Sequence, residues 1–146
     1  MAASAFILYP NAIHKIGNGD IDLAADTFKA VLCSSASNAA TLTIDNYADL
    51  TNELATASGY TNGGLTLTTV GWTESGGVCK FDCDDITWNA SGGSITARFM
   101  VIYSDTSASN VLLGYVLLDT TPADVTATAG NPFTYQVNAS GLFTSP

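Results

Sequence analysis

The stretch Ser94-Ile-Thr-Ala-Arg-Phe-Met-Val-Ile-Tyr-Ser104 sets the fold expected of the whole chain. Ile95, Ala97, Phe99, Val101 and Tyr103 fall on one side of an extended backbone, and Thr96, Arg98, Met100 and Ile102 on the other. A two-residue period rich in β-branched and aromatic side chains is that of a strand. From Met100 onward both faces are apolar. Val111-Leu-Leu-Gly-Tyr-Val-Leu-Leu-Asp119 has the same character, and Asp105 to Asn110 between them is a polar loop of hairpin length. The reading is an antiparallel pair at the centre of a sheet, covered on both sides by other layers of the fold or by a partner chain.

Working outward, the pattern is strand after strand, broken by turns. Leu65 to Thr73 alternates, Ser75-Gly-Gly77 turns it into Val78 to Asp82, and Ile86-Thr-Trp88 follows an acidic kink. Asn89-Ala-Ser-Gly-Gly93 turns again into the central stretch, and Phe133 to Val137 is a last strand after a Thr/Ala loop over 120–131. Upstream, Pro10 opens a short helix over Asn11 to Ile16, because proline suits the first helical turn. Thr27 to Cys33 reads as a strand, Tyr47 to Thr56 as a weak helix or long loop, and Gly59-Tyr-Thr-Asn-Gly-Gly64 as a tight turn. The fold class is therefore all-β and mainly antiparallel: a β-sandwich or partly open barrel with one short N-terminal helix. Residues 1–9 read as an apolar arm or a short first strand, and 10–146 as one β-sandwich domain.

At 146 residues the chain is of single-domain size and buries roughly 70% of its unfolded surface. A hydrophobic content of 47% with only 12% charged residues argues against disorder and leaves a Thr, Ser, Asn, Gly and Ala surface suited to an assembly. The net charge of −9 sets 13 acids against Lys15, Lys29, Lys80 and Arg98. Phosphate binding needs clustered cations, so nucleic acid and anionic membrane are not expected partners. No apolar run reaches the roughly 20 residues of a membrane-spanning helix. Ala5-Phe-Ile-Leu-Tyr9 is too short for a signal-peptide core and lacks a basic flank, which reads as synthesis in a cytoplasm without export through a leader.

No constellation is assembled for turnover. There is no Gly-x-Ser-x-Gly elbow, no phosphate-binding loop and no dinucleotide fingerprint, and His14, the single histidine, reads as a helix-face residue. Cys33, Cys79 and Cys83 are an odd number. Cys79 and Cys83 on one strand lie about 13 Å apart, too far to bridge, so all three read as small buried hydrophobes. Asp82, Asp84 and Asp85 form the densest acidic cluster, but without the Asp-x-Asp-x-Asp-Gly loop of a calcium site, so no metal and no cofactor is expected. Arg98, the only arginine, reads as a structural ion pair with Asp84 or Asp85 across the turn at 89–93, with a partner-binding role second. Trp72, Trp88 and Tyr60 could stack on a sugar if the sheet displayed them together, which keeps a carbohydrate-binding module as an alternative of another class.

In this order, four pieces resemble a family of small virion structural proteins encoded by tailed bacteriophages. They are the short helix with Asp20-Ile-Asp-Leu and Asp26-Thr-Phe-Lys-Ala-Val-Leu32; Asn52-Glu53 with Gly59 to Gly64; Asp84-Asp-Ile-Thr-Trp88; and Thr96 to Tyr103 followed by Leu113-Gly-Tyr115. They cover most of the chain after residue 10, although residues 36–45 are longer than the acidic loop the resemblance implies there. The resemblance implies a non-enzymatic virion component. The expected function is a capsid decoration or cement protein, with a tail, neck or fibre-associated protein as alternative. Expected partners are the major capsid protein or another virion protein and further copies of the chain, as a trimer. The apolar ends, Phe6, Ile7, Leu8, Tyr9, Leu142 and Phe143, are the expected partner interface.

Overall fold

The computed structural model describes residues 2–146. In chain order its elements are β1 (Ile7–Leu8), helix α1 (Pro10–Gly17), β2 (Phe28–Cys33), a 3-10 turn over Tyr47–Asp49, β3 (Leu65–Thr66) and β4 (Gly71–Ser75). There follow β5 (Val78–Asp82), β6 (Ile86–Asn89), β7 (Ile95–Ala97), β8 (Phe99–Ser104), β9 (Leu112–Leu117), β10 (Val125–Ala127), β11 (Pro132–Tyr135) and β12 (Phe143–Ser145). All pairings are antiparallel. The main sheet runs β1-β9-β8-β2-β3, a second runs β12-β5-β4, and two ribbons pair β10 with β7 and β11 with β6; none closes into a barrel. The fold is all-β and sandwich-like, as the periodicity predicts.

β8 and β9 pair at the centre of the main sheet, with Met100 opposite Val116 and Val101 opposite Tyr115. β2 lies along the other side of β8, Ala30 opposite Ile102 and Leu32 opposite Met100. Directly opposed residues share a face. One face therefore carries Phe28, Ala30, Leu32, Met100, Ile102 and Val116, and the other Val31, Cys33, Val101, Tyr103 and Tyr115; all are buried. The first face is covered by the second sheet, where Phe81 of β5 meets Phe28 edge-on at 5.2 Å. The second is covered by helix α1 and the segment 34–64: Tyr47 stacks on Tyr103 at 4.5 Å and Tyr9 leans on Tyr115 at 5.5 Å. Each fully buried large aliphatic or aromatic side chain contributes about 1.5–3 kcal/mol, far more than the pairing preferences that set register.

Several elements differ from the expectation. Ser94–Ser104 is not one strand: the chain bends at Arg98, so β7 leaves the main sheet to pair with β10 while β8 stays at its centre. Strands that change sheet do so at such bends. Leu65 to Thr73 likewise breaks at Thr69, which takes a positive φ of 53° and sends β3 and β4 into different sheets. The Thr/Ala loop at 120–131 contains β10. The helix extends to Pro10–Gly17, with extended Tyr9 at its N-cap, and Tyr47–Thr56 forms only the short 3-10 turn over Tyr47–Asp49 followed by irregular chain with a positive φ at Asn52.

The expected N-terminal arm is not free. Its first residue, Met1, lies outside the described residues; the others run along β9. Ser4 N–H donates to the Leu117 carbonyl, Leu117 N–H returns to Ser4 Oγ, and β1 pairs Ile7 with Tyr115. Gly114 makes the close approach possible: a Cβ there would lie 2.5 Å from both the Phe6 ring and the Ile7 carbonyl oxygen.

Burial pushes the Tyr103 phenol and the Cys33 and Cys83 thiols up to about 12, and raises the phenols of Tyr9, Tyr47, Tyr60 and Tyr135 as well. Their ordinary values are 9.0 for the thiols and 10.0 for the phenols. Above those values the unfolded chain has released protons that the folded chain still holds, so stability falls as pH rises. The urea unfolding midpoint is expected to be level from about pH 6 to pH 8 and to decline steadily above about pH 9. A midpoint unchanged at about pH 11 would contradict this assignment of buried phenols and thiols.

Candidate functional site

Two places concentrate side-chain chemistry: the seam where the chain ends meet, and a carboxylate–tyrosine cluster beneath the segment 34–64. At the seam, Phe6 stacks nearly parallel on Phe143, ring centres 6.0 Å apart and planes 11° off. Phe143 also touches Phe81 at 5.4 Å and Trp72 at 5.9 Å. Beside this stack an open groove of about 640 Å³ runs between residues 3–6 and the segments around Tyr135 and Phe143. β1 and β12, which flank it, each stand at the end of their sheet.

The six residues expected to form a partner interface are therefore used mainly inside the molecule. Tyr9 is fully buried and its hydroxyl donates to the Ala39 carbonyl at 2.5 Å; Leu142 is buried and its N–H donates to the Phe81 carbonyl. Phe6, Leu8 and Phe143 are half-buried, and Ile7 alone is substantially exposed, at 38%. Apolar termini meet the same physical demand whether a partner or the chain's own core covers them, and here the core covers most of their surface.

The second place is centred on Glu53, one of two glutamates in the chain. Its half-buried carboxylate accepts hydrogen bonds from Tyr47 Oη, from Tyr60 Oη at 2.6 Å and from Gly63 N–H at 2.7 Å. Tyr60 Oη in turn accepts from Leu32 N–H at 3.1 Å, and Tyr103 Oη donates to the Gly63 carbonyl at 2.8 Å. Leu54 N–H donates to the Leu32 carbonyl and Glu53 bridges Cys33, so residues 52–54 continue beside β2 where the short β3 ends. Gly64, at φ +89°, passes so close that a Cβ would sit 2.3 Å from the Ala30 carbonyl oxygen. The cluster satisfies the outer edge of β2 and ties the long cover to the sheet. Sequence reasoning missed it; the one available signal was a lone glutamate in a polar segment followed by a Gly-rich turn.

Arg98 does not pair with Asp84 or Asp85. Its Nε lies 2.8 Å from Asp124 Oδ1. The expectation assumed a β6–β7 hairpin, whereas β7 pairs with β10, and that register brings residue 124 beside residue 98. Asp84 instead accepts from Thr68 Oγ1 at 3.0 Å and Thr69 Oγ1 at 2.7 Å, anchoring the bend at Thr69. The Thr69 and Thr68 hydroxyls hold its carboxyl below the usual carboxylate range. Asp85 accepts from Val137 N–H at 2.8 Å.

Trp72, Trp88 and Tyr60 form no common platform. Trp88 and Tyr60 are buried, and Trp88 packs edge-on against Phe133 in the core, while Trp72 lies against Phe143. His14 is exposed on α1, with no side-chain hydrogen bond among the described residues to an aspartate or a hydroxyl. Among the described residues no three or more His, Cys, Asp or Glu side chains converge as metal ligands, and no helix is long and apolar enough to cross a membrane. Comparison of the chain with protein-family models, curated proteins and solved structures finds no match.

Removing the Glu53 carboxylate leaves two phenols and an amide to find new partners. Glu53→Ala is expected to lower the unfolding free energy by about 2–4 kcal/mol, and Glu53→Gln, which keeps one acceptor oxygen, by about half as much. Urea unfolding of both variants checks this. A loss below about 0.5 kcal/mol in Glu53→Ala would show that the cluster does not hold the cover.

Proposed function

We propose that this chain is a non-enzymatic structural protein of a tailed-phage virion, a decoration or cement protein seated on the outside of the capsid. Its partners are the major capsid protein and further copies of itself. The observation that carries this reading is where the polar groups go. The Glu53 carboxylate holds two tyrosines and the Gly63 turn at the sheet edge, a third tyrosine, Tyr103, donates to the Gly63 carbonyl, and the one arginine sits in an ion pair. Among the described residues no buried side-chain nitrogen or oxygen lacks a partner. These contacts support a stiff body with a central sheet buried on both faces.

Such a body suits the task of bridging neighbouring subunits of a shell against internal pressure. Modest contacts suffice when many copies repeat them on one particle, because the second contact of an anchored subunit is intramolecular. The acidic surface points the same way, since it offers no cluster of cations to phosphate. A seat on the tail, neck or fibre makes the same mechanical demands and is the second position to consider. The carbohydrate module loses its support, because two of its three aromatic residues lie in the core.

The test is to purify particles of the phage that encodes the chain, identify their proteins by mass spectrometry and map the particle by electron cryomicroscopy. The expected result is this chain in many copies as density on the outer surface of the head. Density confined to the tail would move the protein to the second position. Absence from purified particles would overturn the reading.

A further inference from the structure

The second sheet is the least buried layer of the fold. Among the residues of β4, β5 and β12 only Phe81 is buried, whereas β8 and β9 are each buried at all but one residue. Regions with few buried apolar contacts are those that open first. Three stretches of chain join this sheet to the rest: 67–70 leads into β4, 83–85 leads from β5 to β6, and 136–142 leads into β12. Two adjacent aspartates tie all three together. Asp84 Oδ2 accepts from Thr68 Oγ1 and Thr69 Oγ1, and Asp84 N–H donates to the Thr68 carbonyl at 3.0 Å. Asp85 Oδ1 accepts from Val137 N–H. Thr69 is held at φ +53°, a conformation disfavoured for a β-branched residue.

We propose that Asp84 and Asp85 form an acid-released lock on the second sheet. Charged, they pin its three connections together; protonated, they let the sheet lift from the Phe28 face while the main sheet stays folded. A hydrogen bond to a carboxylate is roughly twice as strong as one between neutral groups, so protonation weakens all three side-chain links. Both aspartates are exposed, so protons reach them without unfolding. The Thr69 and Thr68 hydroxyls hold Asp84 charged to below the usual carboxylate range. Its contribution is therefore complete above that range and is lost as pH falls below it. The surrounding groups leave the aspartates in control. Lys80 on β5 is paired with Asp82 at 2.9 Å, and burial raises the Cys83 thiol and the Tyr135 phenol, which are neutral in acid. The stretches 67–70 and 136–142 and strand β6 bring no charged side chain. The lock belongs to the isolated chain and does not depend on the virion reading.

The experiment is amide hydrogen exchange of the full-length chain from about pH 6 to about pH 3, read on peptic fragments as protection factors. In the wild type, residues 71–82 are expected to lose about tenfold or more in protection relative to residues 99–104 as pH falls. The double variant Asp84→Asn, Asp85→Asn keeps the side-chain shapes without the charge. It is expected to show the open pattern already at about pH 6 and to change little below it. Asp45→Asn, the same charge change at an exposed residue of the opposite cover, should follow the wild type. Near-UV circular dichroism confirms that each variant is folded. Should the double variant not be, Asp85→Asn alone, which frees only 136–142, takes its place with a smaller effect of the same sign. Protection that falls equally in both segments is ordinary acid unfolding and overturns the lock. So does a wild type whose 71–82 segment stays protected throughout, or a double variant that keeps the wild-type pH dependence.

Discussion

A strand that is apolar on both faces must be covered twice, and most of this structure follows from that requirement. β8 and β9 with β2 present two continuous apolar surfaces, from Phe28 to Val116 on one side and from Val31 to Tyr115 on the other. The second sheet answers the first through Phe81 and Phe143. Helix α1 and the segment 34–64 answer the second through Tyr9 and Tyr47. Neither cover is regular enough to hold itself: one is a set of short strands, the other largely loop. Each is therefore fixed by a few specific contacts, the stacked rings at the seam and the hydrogen bonds to Glu53.

Those contacts account for the side chains that would otherwise suggest chemistry. A half-buried carboxylate beside tyrosines is a familiar arrangement for proton transfer. Here its oxygens are filled by two phenols and an amide, and the phenols are themselves tied to stacking or to the β2 backbone. Asp84 is likewise occupied in holding Thr69 in a left-handed conformation that a β-branched residue seldom adopts. Glu53, Asp84 and Arg98 are thus each engaged in holding the fold. Outwardly the chain carries a net charge of −9, with an open groove between its two ends.

Periodicity alone made the central pair and the all-β class legible, because two-faced apolar runs separated by a short polar loop have few other solutions. What it could not show was where a run changes sheet. Arg98 lies within an unbroken alternation, and only the pairing of Ile95–Ala97 with Val125–Ala127 reveals the bend. The same missing pairing hid Asp124, so the arginine was assigned to nearer acids. In the Glu53 cluster Tyr47 and Tyr60 lie only six and seven residues from the glutamate, but an irregular segment has no period to place them on one side, and Tyr103 comes from the distant β8. The apolar ends were legible as needing a partner, but a sequence does not show that Phe6 and Phe143 are partners for each other.

The central claim is that the doubly covered sheet and its loop-built cover form one cooperative unit. Native-state amide hydrogen exchange tests it most directly, because it reads the opening free energy residue by residue. The account predicts that Val101, Ile102 and Val116 in the sheet and Leu54 and Gly63 in the cover all exchange only through global unfolding, with one common free energy equal to that from denaturant. Exchange of Leu54 and Gly63 through a much cheaper local opening, with the sheet amides still protected, would contradict it.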